Sequence, residues 1–118
     1  MRVTQFDLDM PTEDLKRCLE FYVEGLLFTK LWEFPESCTV ALDGFHLTFR
    51  KASRKHVEVM RQMDYSFSLR LGDIQNYYER VRATGKVKFE QELELMQPGV
   101  WQFWLFDCNG YRVGFAMP

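Results

Sequence analysis

The chain has little of what most catalytic signatures require. It holds two histidines and three cysteines, and no pair of cysteines has Cys-x-x-Cys spacing. An odd number of thiols without that spacing fits a reducing cytoplasm better than a disulfide framework. No Ser-His-Asp set, phosphate-binding loop or dinucleotide fingerprint is present. No apolar run is long enough to span a bilayer, and the opening MRVTQFDLD lacks the apolar core of a signal peptide. Neither sign of charge dominates. The net charge of −2 lacks the basic excess that nucleic-acid binding asks for. The expectation is a cytoplasmic protein with no nucleic-acid or membrane partner.

Apolar side chains, by contrast, are plentiful. They make up 47% of the 118 residues, aromatics make up 16%, and eleven residues are Phe. That suffices for a packed core and argues against disorder. The length fits one domain over 1–118, or two small halves that share a core.

Two halves are visible in the chain itself. Asp43-Gly44-Phe45-His46-Leu47-Thr48-Phe49 is echoed, 66 residues later, by Asn109-Gly110-Tyr111-Arg112-Val113-Gly114-Phe115. Each reads as a tight turn running into a strand, since Asp, Asn and Gly tolerate turn geometry. Upstream, Arg2 to Met10 alternates, with Phe6, Leu8 and Met10 on one face. Thr12 then reads as the N-cap of a helix whose buried face is Leu15, Cys18, Leu19 and Tyr22, with Gly25 as a left-handed cap. Leu26 to Phe34, Cys38 to Leu42 and Phe45 to Arg50 read as strands. The second half repeats this order. Tyr65 to Leu71 alternates, and Asp73 caps a helix with Ile74, Tyr77, Tyr78 and Val81 on one face, stopped by Gly85. Strands follow at Lys86 to Glu90, Val100 to Phe106 and Tyr111 onward. The two helix-start aspartates, Asp14 and Asp73, are 59 residues apart, half the chain.

The expected fold is therefore α+β, with module one over 1–50, a polar and basic linker over 51–63 and module two over 64–118. A helical turn through Val57, Met60 and Met63 fits the linker. Each module is strand, helix, strand, strand, strand. Two curved mixed sheets facing each other would enclose a cleft, with helices outside. Phe6, Leu8, Phe67, Leu69, Val113 and Phe115 would pack under the helices, and the alternate residues would line the cleft. Cys18 and Cys38 read as core, and Cys108 as the most exposed thiol.

The duplicated βαβββ order resembles the vicinal oxygen chelate superfamily, which includes glyoxalase I, extradiol dioxygenases, and the fosfomycin- and bleomycin-resistance proteins. Asp14-Leu15 with Phe21-Tyr22 resembles the first helix of that family, and Asp73-Ile74 through Gly85 resembles the second. Phe106-Asp107-Cys108-Asn109-Gly110 is similar to its Asp-Pro-Asp-Gly turn, with Cys108 in the proline position. The resemblance implies four metal-ligand positions, which fall here on Gln5, Thr48, Ser66 and Gly114. None is a strong ligand, and shifting the first strand to bring in Asp7 adds only one carboxylate. The resemblance therefore points to the metal-free bleomycin-resistance branch: no cofactor, no catalytic residue, a homodimer, and sequestration of an antibiotic or planar metabolite. The alternative is a metal-dependent lyase, isomerase or dioxygenase with atypical ligands.

Alternation places Gln102, Trp104 and Phe106 on the cleft side of one strand. Trp104 and Phe106 can form a stacking floor for a flat ligand, or simply fill the sheet interface. Asp7, His46, Arg50, Ser68 and Arg112 are the expected orienting groups. Asp7 and Asp9 share a face and are expected to pair with Arg70 or Arg112. The mixture of Asp7 and Asp9 with Arg50, Arg70 and Arg112 does not match a cationic drug such as bleomycin. Trp32 is a further candidate at the cleft mouth, and His56 is expected to be solvated.

Overall fold

In the first half of the chain, β1 (Phe6–Thr12) is followed by α1 (Leu15–Leu19), β2 (Thr29–Phe34), β3 (Ser37–Leu42) and β4 (Phe45–Lys51). This computed structural model describes residues 1–64, 66–96 and 98–117. It divides into two units, Met1–Val59 and Met60–Pro118. The first sheet has the order β1-β4-β3-β2, with β1 parallel to β4 and the other pairs antiparallel. Parallel neighbours need a long crossover, and the helical segment supplies it. The period of two along each strand sends Met10, Cys38, Val40, Leu47 and Phe49 into the core, each almost inaccessible. Tyr22 fills the middle of that core, its ring 5.3 Å from Phe28 and 5.1 Å from Phe49. Burying one such side chain contributes about 1.5–3 kcal/mol.

Several boundaries differ from the sequence reading, for local reasons. The N-cap is Asp14, whose carboxylate accepts from the Arg17 N–H at 3.1 Å, and not Thr12. Thr12 is the last residue of β1, and its hydroxyl accepts from the Asp14 N–H at 3.2 Å. The strand runs through Pro11 because β1 lies at the sheet edge, where a missing N–H is tolerated. Beyond Leu19 the helix widens into a π-helical stretch, Glu20–Gly25, in which the Leu26 N–H donates to the Phe21 carbonyl at 3.0 Å. The left-handed residue that ends it is Leu27 (φ 63), not Gly25. Leu26 and Phe28 therefore join the core as loop residues, and β2 starts only at Thr29. Phe6 stacks on Phe45 at 6.0 Å yet stays 60% exposed, so it covers the sheet edge rather than packing beneath the helix.

The segment read as a polar linker is largely helical. Lys51 closes β4, and α2 spans Arg54–Gln62 with Val57 buried. Met63 lies beyond the end of the helix and is exposed.

The second unit contains β5 (Ser66–Arg70), α3 (Ile74–Ala83), β6 (Phe89–Leu95), β7 (Trp101–Phe106) and β8 (Arg112–Met117). Tyr65, read as the start of its first strand, lies outside the described residues. The sheet order is β5-β8-β7-β6, the same pattern as in the first unit, again with first and last strands parallel. All four residues of the expected α3 face are buried, and Asp73 caps the helix through the Asn76 N–H. Tyr77 and Tyr78 close over Phe103 and Phe115, with Tyr77–Phe115 and Tyr78–Phe103 centroids both 5.2 Å apart. The strand expected at Lys86 to Glu90 instead begins at Phe89 and continues to Leu95. It is an edge strand with two register shifts against β7, and Glu90, Glu92 and Glu94 protect that edge with charge.

The turn between β7 and β8 is tied by one buried carboxylate. Asp107 Oδ1 accepts from the Asn109 N–H at 2.8 Å and the Tyr111 N–H at 2.9 Å. Gly110 takes φ +85, and a Cβ there would meet Arg61 Cδ at 2.7 Å. Arg61, near the end of α2, donates to the Asn109 carbonyl at 3.3 Å. Asp107→Ala leaves two inward amides without their acceptor and is expected to cost about 2–4 kcal/mol in urea denaturation. Asp107→Asn keeps an acceptor oxygen and should lose less; equal losses would contradict this account.

Cys18 and Cys38 are buried and Cys108 is half-buried, as expected. Burial, followed by the charges of Cys18 and Glu33, pushes the Cys38 thiol up to about 11. Since the thiolate is the reactive form, Ellman's reagent at pH 8 should label only Cys108 in the native protein and all three thiols in urea. Rapid labelling of a second native thiol would contradict this burial.

Candidate functional site

Each sheet has one face under helices and one face free of them, and the expected site residues lie on the second kind. In the first unit, the parallel register sets Asp7 beside His46 and Asp9 beside Thr48. Asp7 Oδ1 is 3.6 Å from His46 Nδ1, beyond hydrogen-bond range, and the Asp7 carboxylate accepts from the Gln5 amide at 2.8 and 3.1 Å. Asp9 pairs with Arg50 at 3.4 Å. Within the first unit, then, the two aspartates have His46 and Arg50 as neighbours. Strand register gives each aspartate a partner on its own sheet. Both pairs are solvated and contribute little, on the order of 0–1 kcal/mol. Thr48 and Thr39 share a hydroxyl–hydroxyl bond of 2.7 Å. At the end of β1 and β4, an open cavity of about 250 Å³ is lined by Asp9, Met10, Pro11, Arg50, Lys51 and His56, among others. His56 is exposed, as expected, and Trp32 is 49% exposed on the edge strand β2.

In the second unit, Ser68 pairs in register with Gly114, Gly114 with Trp104, and Arg112 with Phe106. These positions share the helix-free face. A Cβ at Gly114 would stand 2.5–2.6 Å from three atoms of the Trp104 six-membered ring. The indole thus occupies the space where a side chain at 114 would stand. The Arg112 guanidinium lies over the same ring, 3.8 Å from its centroid. Arg112 Nε in turn donates to Glu90 Oε1 at 2.7 Å. Trp104 is accordingly not the bare stacking floor that alternation suggested, because a guanidinium covers one face. Phe106 does stand open, at 47% exposure. A half-exposed cation–π contact contributes about 0.5–1 kcal/mol, and a half-exposed ion pair a similar amount. A ligand that displaced Arg112 from the indole would give up both.

Glu90 was not singled out in the sequence, although it closed the strand expected at Lys86 to Glu90. The usable signal was the alternation of Phe89, Gln91 and Leu93 with Glu90, Glu92 and Glu94.

The four positions where the family resemblance implies a metal do not suit one. The Gln5 amide is bonded to Asp7, the Thr48 hydroxyl to Thr39, Ser66 offers only a neutral hydroxyl, and Gly114 is covered by Trp104. A divalent ion needs imidazole, thiolate or carboxylate donors. Among the described residues, no three His, Cys, Asp or Glu side chains come together in a metal-holding group. If the indole fills the place of a side chain at 114, Gly114→Ala should destabilise the protein by about 1–3 kcal/mol. The same change in a Trp104→Ala background should cost far less. A double-mutant cycle by urea denaturation measures the coupling, and additive effects would refute the contact.

Among the described residues, no helix is long and apolar enough to cross a membrane. No family model and no curated protein sequence matches the chain. Solved structures do. TioX from Micromonospora sp. ML1 superposes with a TM-score of 0.81 at 16% identity, over 98% of both chains. TnmS3, an antibiotic binding protein from Streptomyces sp. CB03234, gives 0.75 at 21% identity, over 100% of this chain and 97% of its own. A glyoxalase/bleomycin resistance protein/dioxygenase from Alicyclobacillus acidocaldarius gives 0.74 at 21% identity, over 99% of this chain and 94% of its own. The duplicated module order read from the helix starts and the Asp107 turn is thus that of a known architecture, and the chain has the glyoxalase/bleomycin-resistance fold.

Proposed function

We propose that this protein binds a small planar molecule, an antibiotic or a flat metabolite, without a metal and without chemical conversion. The observation that carries this reading is the Trp104 ring resting on Gly114, where the resemblance implies a ligand carboxylate. An aromatic and guanidinium surface replaces the donor set that metal-dependent chemistry needs. Flat rings are recognised by such surfaces through stacking and cation–π attraction. The similarity to TnmS3, an antibiotic binding protein, supports the same class of ligand. In this reading Ser68, Trp104, Phe106 and Arg112 are the ligand contacts of the second unit, and Asp7, His46 and Arg50 are the candidate polar contacts of the first, each taken by itself. The protein acts in the cytoplasm as a homodimer, a small symmetric assembly that covers exposed apolar strand residues such as Trp32 and Phe34.

Intrinsic tryptophan fluorescence titrated against planar antibiotics and metabolites tests this. Saturable quenching by at least one compound is expected, reduced about tenfold or more in affinity by Trp104→Ala. Metal analysis of protein purified without chelators should find no stoichiometric transition metal. Absence of quenching across the library, or a stoichiometric metal required for binding, would overturn the proposal.

A further inference from the structure

On the helix-free face of the second unit's sheet, a guanidinium covers the Trp104 indole. The Arg112 guanidinium carbon lies over the Trp104 ring, 3.8 Å from its centroid, and Arg112 Nε donates to Glu90 Oε1 at 2.7 Å. Two contacts from different directions hold the group in one orientation, and its side chain is still 36% exposed. A guanidinium held this way offers its outer plane for stacking, since arginine packs face to face on aromatic rings. Phe106, across from Arg112 in register, adds an exposed ring at the same end.

The charge on this face has a direction as well. Glu90 already neutralises Arg112. Farther along the sheet, Arg70 is exposed and has no acidic side-chain partner among the described residues. Ser66 sits opposite Arg112 in register and Arg70 is four residues further along β5, roughly 13 Å at the usual strand rise. Between them stands Ser68, a small exposed side chain that leaves the path open. A flat system of three fused rings carrying an acid group, met by the extended Arg70 side chain, closes that distance.

Resting on the small-molecule reading above, we infer that this face selects a flat aromatic acid. Its ring system stacks on the outer plane of Arg112 with an edge against Phe106, and its carboxylate or phenolate reaches Arg70. Planar cations are disfavoured, because they would stack on one guanidinium and point toward another. The choice of ligand charge is thus set by Arg70, and the choice of flatness by the Glu90–Arg112–Trp104 stack.

Two matched probes test the inference on the full chain: anthracene-2-carboxylate and 2-(aminomethyl)anthracene, followed by probe fluorescence anisotropy at pH 7. The carboxylate should bind roughly tenfold or more tightly than the ammonium. Arg70→Gln, at an exposed site where folding is not at stake, should remove most of that preference. Arg112→Gln should weaken both probes. Equal affinities, or a preference for the ammonium, would overturn the inference and leave small-molecule binding intact. An unchanged preference in Arg70→Gln would also overturn it. If neither anthracene binds, the inference fails, and only silence in the wider antibiotic and metabolite titration would remove the underlying reading as well.

Discussion

The parallel pairing of the first and last strand in each unit is the constraint on which the rest depends. It places β1 beside β4 and β5 beside β8, although those strands are separated by a helix and two further strands. Such a pairing is stable only if the crossover packs back onto the sheet, so the helical segments of both units must bury an apolar face. Tyr22 in one unit and Tyr77 with Tyr78 in the other meet that requirement, each against Phe side chains of the sheet. The opposite face of each sheet is left free of helices, and its chemistry is whatever the register brings together.

That register explains why the polar groups are arranged as they are. Asp7 lies by His46, and Asp9 by Arg50, as neighbours on one sheet. On the other sheet the same rule sets Ser68, Gly114 and Trp104 in a row across three strands. The glycine then has a specific role: it leaves room for an indole. The resulting stack, Glu90 on Arg112 on Trp104, occupies the place where a side chain at 114 would stand. The individual contacts are weak, but they share Arg112, so each restricts the freedom that the other would otherwise have to remove.

Much of this was legible in the chain. The repeat at Asp43 and Asn109, the α3 stripe and its Asp73 cap, and the Asp107 turn all follow from short-range rules of turn chemistry, capping and periodicity. The first helix was less legible. Its end depends on a π-helical widening and on Leu27 in the left-handed region, which no composition rule anticipates when Gly25 is available two residues earlier. The start of β6 was misplaced because Lys86, Val87 and Lys88 alternate like a strand, while the pairing with β7 begins only at Phe89.

The sequence by itself determined the duplicated module order, the buried faces, the thiols in the core and the lack of strong donors at the four implied metal positions. These are properties of neighbours along the chain, or of residue type alone. Only the tertiary structure decided that Trp104 rests on Gly114, that Arg112 covers that indole, and that Glu90 holds Arg112 from β6. Those contacts join residues 8 to 22 positions apart through strand register and edge bulges. A shift of one residue in register reverses which face a side chain occupies, so local pattern cannot specify them.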